Sequence, residues 1–309
     1  MLVASLFASI IMQAACVTGS TPTKPAYLRE QGDFFMQAGI TSFNQYNLML
    51  ATQQFSQAKA FYSRYEDHIG ITNSLLNLAQ TNIASGDFDD ATAHLDSARL
   101  LIERYQLAQQ ALVHAALLSS LQLSTGNLIT AKITLNQFDT ELHNADINAD
   151  LLALLINRTR LAQLSVEDFS IWMALLNRYY TNHSSDALQA RVQRFQGWQA
   201  MQKNDSQTGG QLFSAALNYY RAAANPNGLM STHLEWADAC SSLNLYEPAA
   251  QHYELALYTA IANHHIPNGM LALDGLRKLY SRTNETDKMR QVDDWALQLK
   301  SLPADSTIR

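Results

Sequence analysis

The sequence predicts an all-α fold, an α-solenoid of about six to seven antiparallel helix hairpins. Three observations predict it. The 309 residues include only 12 Gly and 6 Pro, well under the usual shares of about 7% and 5%, so turns are few and helices long. No stretch alternates apolar and polar residues for long enough to require a strand. Finally, the run LAQTNIASGDFDDATAHLDSA, from Leu78 to Ala98, reads as helix, tight turn and helix, with small residues where two helices must touch. Its marks are Ala79, Gly86, Phe88, Ala91, Leu95 and Ala98, and the same spacing returns at Ala237, Asn244, Tyr246, Ala249, Tyr253 and Ala256.

Taken in order, the chain opens on MLVASLFASIIMQAA, which carries no charge. Its apolar or small run, Leu2 to Met12, is short of the roughly 20 residues that a membrane span needs. Small residues Ala14 and Ala15 precede Cys16, and the polar stretch VTGSTPTKPAY follows it. This order is similar to a bacterial lipoprotein signal. The resemblance implies a signal peptide over residues 1–15, lipid attachment at Cys16, a flexible tether over 16–27 and export. Val17, rather than Asp, after the Cys implies sorting to the outer membrane. Gln13, where such signals carry an apolar residue, and the missing Lys or Arg depart from the pattern. Two other readings stay open: residues 1–15 retained as a helix packed on the solenoid end, or a plain cleaved signal.

Residues 28–300 then read as successive hairpins. The first, with Tyr46, Phe55, Ala58, Tyr62 and Tyr65, is placed thirty-three residues before the Leu78–Ala98 motif. The third lies forty residues after it, with Ser119, Gly126, Leu128, Ala131, Leu135 and Phe138. In each, a small residue of the first helix and an alanine of the second let two helices approach. The aromatic or Leu four residues beyond that alanine shares its face and fills the space between hairpins. Gly86 and Gly126 suit a left-handed helix end, and Asp87 and Asn127 suit the next helix start. Residues 150–182 lose the small notches, with Trp172 where an alanine should stand and a turn at Ser165 to Asp168. The next hairpin is expected to contain a mobile loop, DSQTGGQ, marked by Gly209 and Gly210. Breaks at Asn225–Gly228 and His264–Gly269 bound the sixth hairpin, a more charged pair ends the domain, and residues 301–309 form a frayed tail.

A period of 33 to 40 residues built this way resembles the tetratricopeptide repeat. The resemblance implies hairpins that cannot bury their faces singly, and so stack into a superhelix whose first helices line a concave groove. The family's large aromatic early in the first helix, and its Pro at the repeat end, are absent.

Composition narrows the function. Net charge is −6 with Lys and Arg scattered singly, so no basic cluster is expected to neutralise a row of phosphates, and nucleic acid is not an expected partner. The sequence holds no HExxH, paired CxxC or Gly-x-Ser-x-Gly. Adjacent His264 and His265 lie at a hairpin junction, where a capping or solvated role is expected. Asp89/Asp90 and Asp293/Asp294 suit exposed helix faces. Cys240 reads as a small buried apolar residue. No enzyme, cofactor or metal is expected.

What remains is the groove. Helical phase places Asn44, Asn47, Asn73, Asn77 and Gln80 on its inner wall at one end and Glu235 and Asp238 at the other. Amides suit an extended peptide backbone, since each donates and accepts. Some tetratricopeptide proteins grip a C-terminal carboxylate with Lys and Arg, and such basic residues are not expected in this groove. The resemblance implies a lipid-anchored scaffold or adaptor on the periplasmic face of the outer membrane. Its partner would be a protein or peptide of the envelope, of the pilus–secretin assembly or cell-wall enzyme recruitment type. The alternative is a cytoplasmic sensor or regulator that reads a signalling peptide.

Overall fold

The computed structural model describes residues 24–144, 147, 149–165 and 167–301. The signal, Cys16, the start of the tether and residues 302–309 lie outside the described residues. The described residues form fifteen helices and no strand, and consecutive helices pack against one another as hairpins. These are α1 (Lys24–Asn44) with α2 (Leu48–Tyr65), α3 (His68–Ser85) with α4 (Phe88–Tyr105), and α5 (Ala108–Ser124) with α6 (Leu128–Asn136), which is followed by the short α7 (Asp139–Asn144). Next come α8 (Ala149–Leu164) with α9 (Ser170–Asn182), α10 (Asp186–Gln202) with α11 (Ser206–Ala222), α12 (Pro226–Ser242) with α13 (Tyr246–Ala262), and α14 (Ile266–Thr283) with α15 (Thr286–Lys300). Among the described residues, no helix is long and apolar enough to cross a membrane.

The repeat is written in its turns. Tyr46, Gly86 and Gly126 have positive φ and stand forty residues apart, as do Asn204, Asn244 and Asn284. Between hairpins, Glu66 and Gln106 keep the same interval, and so do Ala224 and His264. Among the described residues one left-handed residue thus follows ten of the fifteen helices, freeing the chain to reverse. Gly126 and Asn204 are two residues short of two periods apart. The irregularity is confined to the fourth hairpin and its borders.

This period corrects the register of the first hairpin. Tyr46 is not its notch but its turn, so the hairpin lies forty residues before the α3–α4 motif, not thirty-three. The notches are Gly39 in α1 and Ala51 in α2, with Phe55 filling between hairpins, and Ala51 and Phe55 are fully buried. A Cβ on Gly39 would come within 2.5 Å of the Phe55 ring, which is why glycine occupies the site. Elsewhere the expected notches hold: Ala79, Ala91, Ser119, Ala131, Ala237 and Ala249 are all fully buried. Leu95, Leu135 and Tyr253, four residues past each second-helix alanine, are buried too. Each such side chain contributes roughly 1.5–3 kcal/mol of burial.

The mobile loop expected at DSQTGGQ is also corrected. Asp205 caps α11, accepting from the Thr208 amide at 3.0 Å, and the glycines lie inside that helix. Gly209 occupies the alanine notch of its hairpin, with Gly197 opposite. A Cβ on Gly209 would lie 3.1 Å from the Gly197 carbonyl oxygen.

The fourth hairpin replaces small notches with a polar wedge. Arg158 on α8 is buried. Its guanidinium stacks 4.5 Å over the Trp172 ring of α9, and its Nε donates to Asp139 at 3.2 Å. The turn expected at residues 165–168 separates α8 from α9.

Candidate binding channel

The superhelix curls until its second hairpin touches its sixth and seventh. Asn227, at the start of α12, donates from Nδ2 to the carbonyl of Ala84 near the end of α3, at 2.7 Å. Beside this contact Gly86 faces Pro267 at the start of α14, so closely that a Cβ would lie 2.8 Å from the proline Cδ. The closure joins the second hairpin to the sixth and seventh.

Inside the ring lies a channel of two joined chambers. The first, of about 210 Å³, is lined mainly by first helices of the hairpins, α3, α5, α8, α10, α12 and α14, with Phe88 of α4 and Tyr220 of α11. The second, of about 390 Å³, opens toward α14 and the Tyr253 face of α13. Ser124, Arg160, Ser231, Glu235 and Asn268 border both. First helices lining the inside agree with the expected geometry of the groove.

The wall carries amides, Asn157, Asn225, Asn227 and Asn268, but not the expected ones, and it is not neutral as expected. Three arginines reach the first chamber: Arg160 from α8, and Arg191 and Arg194 from α10. Arg194 is committed, since its Nε donates to Glu235 at 3.0 Å and its Nη2 to the other carboxylate oxygen. Burial lowers the Arg194 pKa, but Glu235 and Tyr220 outweigh it and raise it overall. Arg160 has no such partner. Burial depresses its pKa, Glu235 opposes that, and Arg194 and Arg191 repel it. Tyr46 closes one side of the chamber, and burial pushes its phenol up to about 12.

Of the residues expected on the inner wall, Glu235 borders both chambers and Asp238 the second. The Asp238 side chain keeps solvent access but is hemmed in by protein, which raises its pKa, and it accepts from the Tyr253 hydroxyl at 2.5 Å. The amides serve the scaffold. Asn47 caps α2, accepting from the Leu50 amide at 3.2 Å. Asn73 accepts from Gln110 of α5 at 3.2 Å. Asn77 donates to the Asn73 carbonyl at 2.9 Å and toward the Met36 sulfur of α1. Asn44 and Gln80 are exposed. On α3 the channel-lining residues are instead Ile83 and Ala84, about one turn beyond the projected face.

The expectation of a groove without basic residues is therefore overturned. The arginines sit in the fourth and fifth hairpins, where Trp172 and the glycine pair obscure the small-residue register, so spacing alone does not project them onto the groove. A signal was present: Asn157 and Arg160, like Arg191 and Arg194, are three apart on first helices and so share a helix face.

Three of the histidines serve the scaffold. His265 caps α14, accepting from the Asn268 amide at 3.2 Å. His233 and His252 meet Nδ1 to Nδ1 at 3.1 Å, and Trp236 stacks on His252 at 3.9 Å. Among the described residues no three His, Cys, Asp or Glu side chains gather to hold a metal ion. Cys240 is buried and free, and burial raises its thiol to about 11.

Fold and channel together define an all-α solenoid of helix hairpins. No family model matches the chain, and no curated protein matches it either.

Proposed function

We propose that this chain is a non-enzymatic binding module that takes an extended peptide segment into its central channel. In this reading the solenoid belongs to the tetratricopeptide type, and a lipid on Cys16 holds it on the periplasmic face of the outer membrane as an adaptor for an envelope partner. The observation that carries the binding role is the channel: two continuous chambers with hydroxyls, amides and charges on rigid helices. A peptide presents one donor and one acceptor per residue, and groups such as Ser124, Ser231 and Asn157 can pair with them. Walls already fixed by packing lose little further entropy when a ligand docks.

Ser231 borders both chambers, so Ser231→Trp fills the passage between them. A pool of random hexapeptides should raise the melting temperature of the wild type and not that of this variant, with helical circular dichroism unchanged. Equal behaviour of the two would overturn the channel as the binding site. For the anchor, fatty-acid labelling and membrane fractionation of the native chain and Cys16→Ser decide. Unlabelled, soluble protein would remove the envelope assignment.

One observation favours the second reading, a sensor of a short signalling peptide. The Asn227–Ala84 contact closes the ring, which suits a free short peptide better than a loop of a folded partner.

A further inference from the structure

We infer that the crevice beside the seam is a second binding site, one that takes an alkylammonium group, carried by a lysine side chain or by a free amine. The inference goes beyond the channel and does not depend on what the channel binds.

The crevice, of about 430 Å³, shares Tyr46, Ala84, Asn227 and His265 with the first chamber, so the Asn227–Ala84 bond borders both. One wall comes from the first two hairpins, the other from the start of α12 and the turn between α13 and α14. Two carboxylates border it, Asp87 and Asp90, and among the described residues no lysine or arginine does. An acidic rim alone is ordinary solvated surface. This one is marked by its hydrogen bonds.

Most of the donors there are engaged inside the protein. Thr52 donates to the Leu48 carbonyl at 3.0 Å, Ser85 to Asp87 at 2.5 Å, Asn227 to Ala84, and the Asn263 amide to the Thr259 carbonyl at 2.8 Å. The acceptors are left over. Asn82 is only 7% exposed and borders the crevice, yet its Oδ1 has no hydrogen-bond partner among the described residues. A buried acceptor without a donor is costly, and few native groups are left so. The Asn263 Oδ1 and the Asp90 carboxylate also have no donor among the described residues. Asp87 stands at the N-cap of α4 but makes no cap bond, whereas Asp67 and Asp205 cap α3 and α11. Its carboxylate holds the Ser85 hydroxyl through Oδ2 and leaves Oδ1 free.

Surplus acceptors and negative charge match a ligand made of donors. An ammonium is such a group, with three N–H donors and no acceptor. A guanidinium fork prefers two free oxygens of one carboxylate, and Asp87 offers one. Leu48, Met49 and Pro226 give the alkyl stem an apolar flank, and Tyr46 is an aromatic neighbour of the kind that favours cations. Acceptors stand on both walls, so a ligand that engages both binds the closed seam better than an open one.

The test is calorimetry on the full chain at about pH 7.5 and constant ionic strength. The probes are N-acetyl-lysinamide, its uncharged analogue N-acetyl-norleucinamide, cadaverine, spermidine and magnesium chloride. The lysine derivative should bind roughly tenfold more tightly than the norleucine one, and bound amine should slow hydrogen exchange at Ala84 to Asp87. Asp87→Asn with Asp90→Asn should erase the preference, and Asn82→Leu should weaken amine binding by about tenfold, with fold checked by circular dichroism. Asn263→Ala, at an exposed position on the opposite wall, should weaken it several-fold and tests the site even if Asn82→Leu does not fold. Tighter binding of the lysine derivative than of the free amines supports the site and assigns it to a partner's lysine; binding of cadaverine or spermidine alone supports it as a site for free amines. Equal binding of the lysine and norleucine derivatives would overturn the proposal. So would an equal response to magnesium, an undiminished preference in the double Asp variant, or silence of every probe.

Discussion

Asn227 and Ala84 are 143 residues apart in sequence and joined by a hydrogen bond of 2.7 Å. That bond and the neighbouring Gly86–Pro267 contact join distant hairpins across the concave face, which becomes a partly open channel. Nearest-neighbour packing alone gives an open superhelix; closure depends on the pitch set by each hairpin and on the few residues that meet at the seam.

Breaking the seam should therefore affect the channel more than the fold. Asn227→Ala removes one hydrogen bond, worth about 1 kcal/mol, so the melting temperature should fall only slightly. Hydrogen exchange at Ala84 to Asp87 and at the start of α12 should rise well above the level elsewhere. Unchanged protection at both places would mean the ring is held shut by other contacts.

Two glycines with the same backbone hand separate strain from closure. Gly86 has φ +89 and Gly126 φ +74, so alanine at either carries the left-handed penalty of about 1–2 kcal/mol. Around Gly126 nothing lies within 4 Å of a new Cβ, whereas at Gly86 it would press on Pro267 at 2.8 Å. Gly86→Ala should cost about 1 kcal/mol or more beyond Gly126→Ala, measured by urea unfolding. Equal losses would show that the seam yields freely.

Much of the fold was legible because small residues mark helix contacts directly: Ala79, Ala91, Ala237 and Ala249 were placed from spacing alone and are fully buried. Two things hid the rest. Turn recognition leans on glycine, yet Tyr46, Asn204 and Ala224 hold left-handed turns, so the first hairpin was set against the wrong partner residue. Gly209 carried the opposite ambiguity, since a glycine pair reads as loop although a helix notch also demands it. The channel was less legible still. Glu235 and Asp238 could be projected onto it from a regular hairpin, but Arg160 and Arg194 sit where the small-residue pattern fades. The Asn227–Ala84 seam has no local sequence signature.

The paired histidines predict an acid sensitivity. His233 is buried and His252 partly so, and burial lowers both to about 4 from an ordinary 6.5, with the neighbouring ring and Arg221 adding repulsion at His233. The unfolded chain therefore takes up protons that the folded chain refuses as pH falls below about 6.5. The stability held by the neutral pair is complete above that pH and is lost progressively down to about 4. For His233 alone the loss is on the order of 2 kcal/mol. Urea unfolding from pH 7.5 to 4.5 should show this fall, and His233→Gln with His252→Gln should flatten it. His94, His114 and His265 are lowered by burial too, so a residual slope of the same sign should remain. A slope untouched by the double variant would remove the pair as its source.

The sharpest check on the corrected architecture lies in two adjacent glycines. If Gly209 and Gly210 formed a mobile loop, alanine at either would be close to neutral. Inside α11 the two sites differ. At Gly210 a Cβ meets only Trp236, at 3.4 Å, so Gly210→Ala should stabilise by about 0.5–1 kcal/mol through helix propensity. At Gly209 the Cβ would come within 2.7 Å of Met201 and 3.1 Å of the Gly197 carbonyl oxygen. Met201 is buried and the carbonyl belongs to the facing helix, so neither moves away cheaply. Overpacking of about 1–3 kcal/mol outweighs the propensity gain, and Gly209→Ala should lower the melting temperature while its neighbour raises it. Shifts of the same sign at both positions would return these residues to a loop and take the forty-residue register of the fifth hairpin with them.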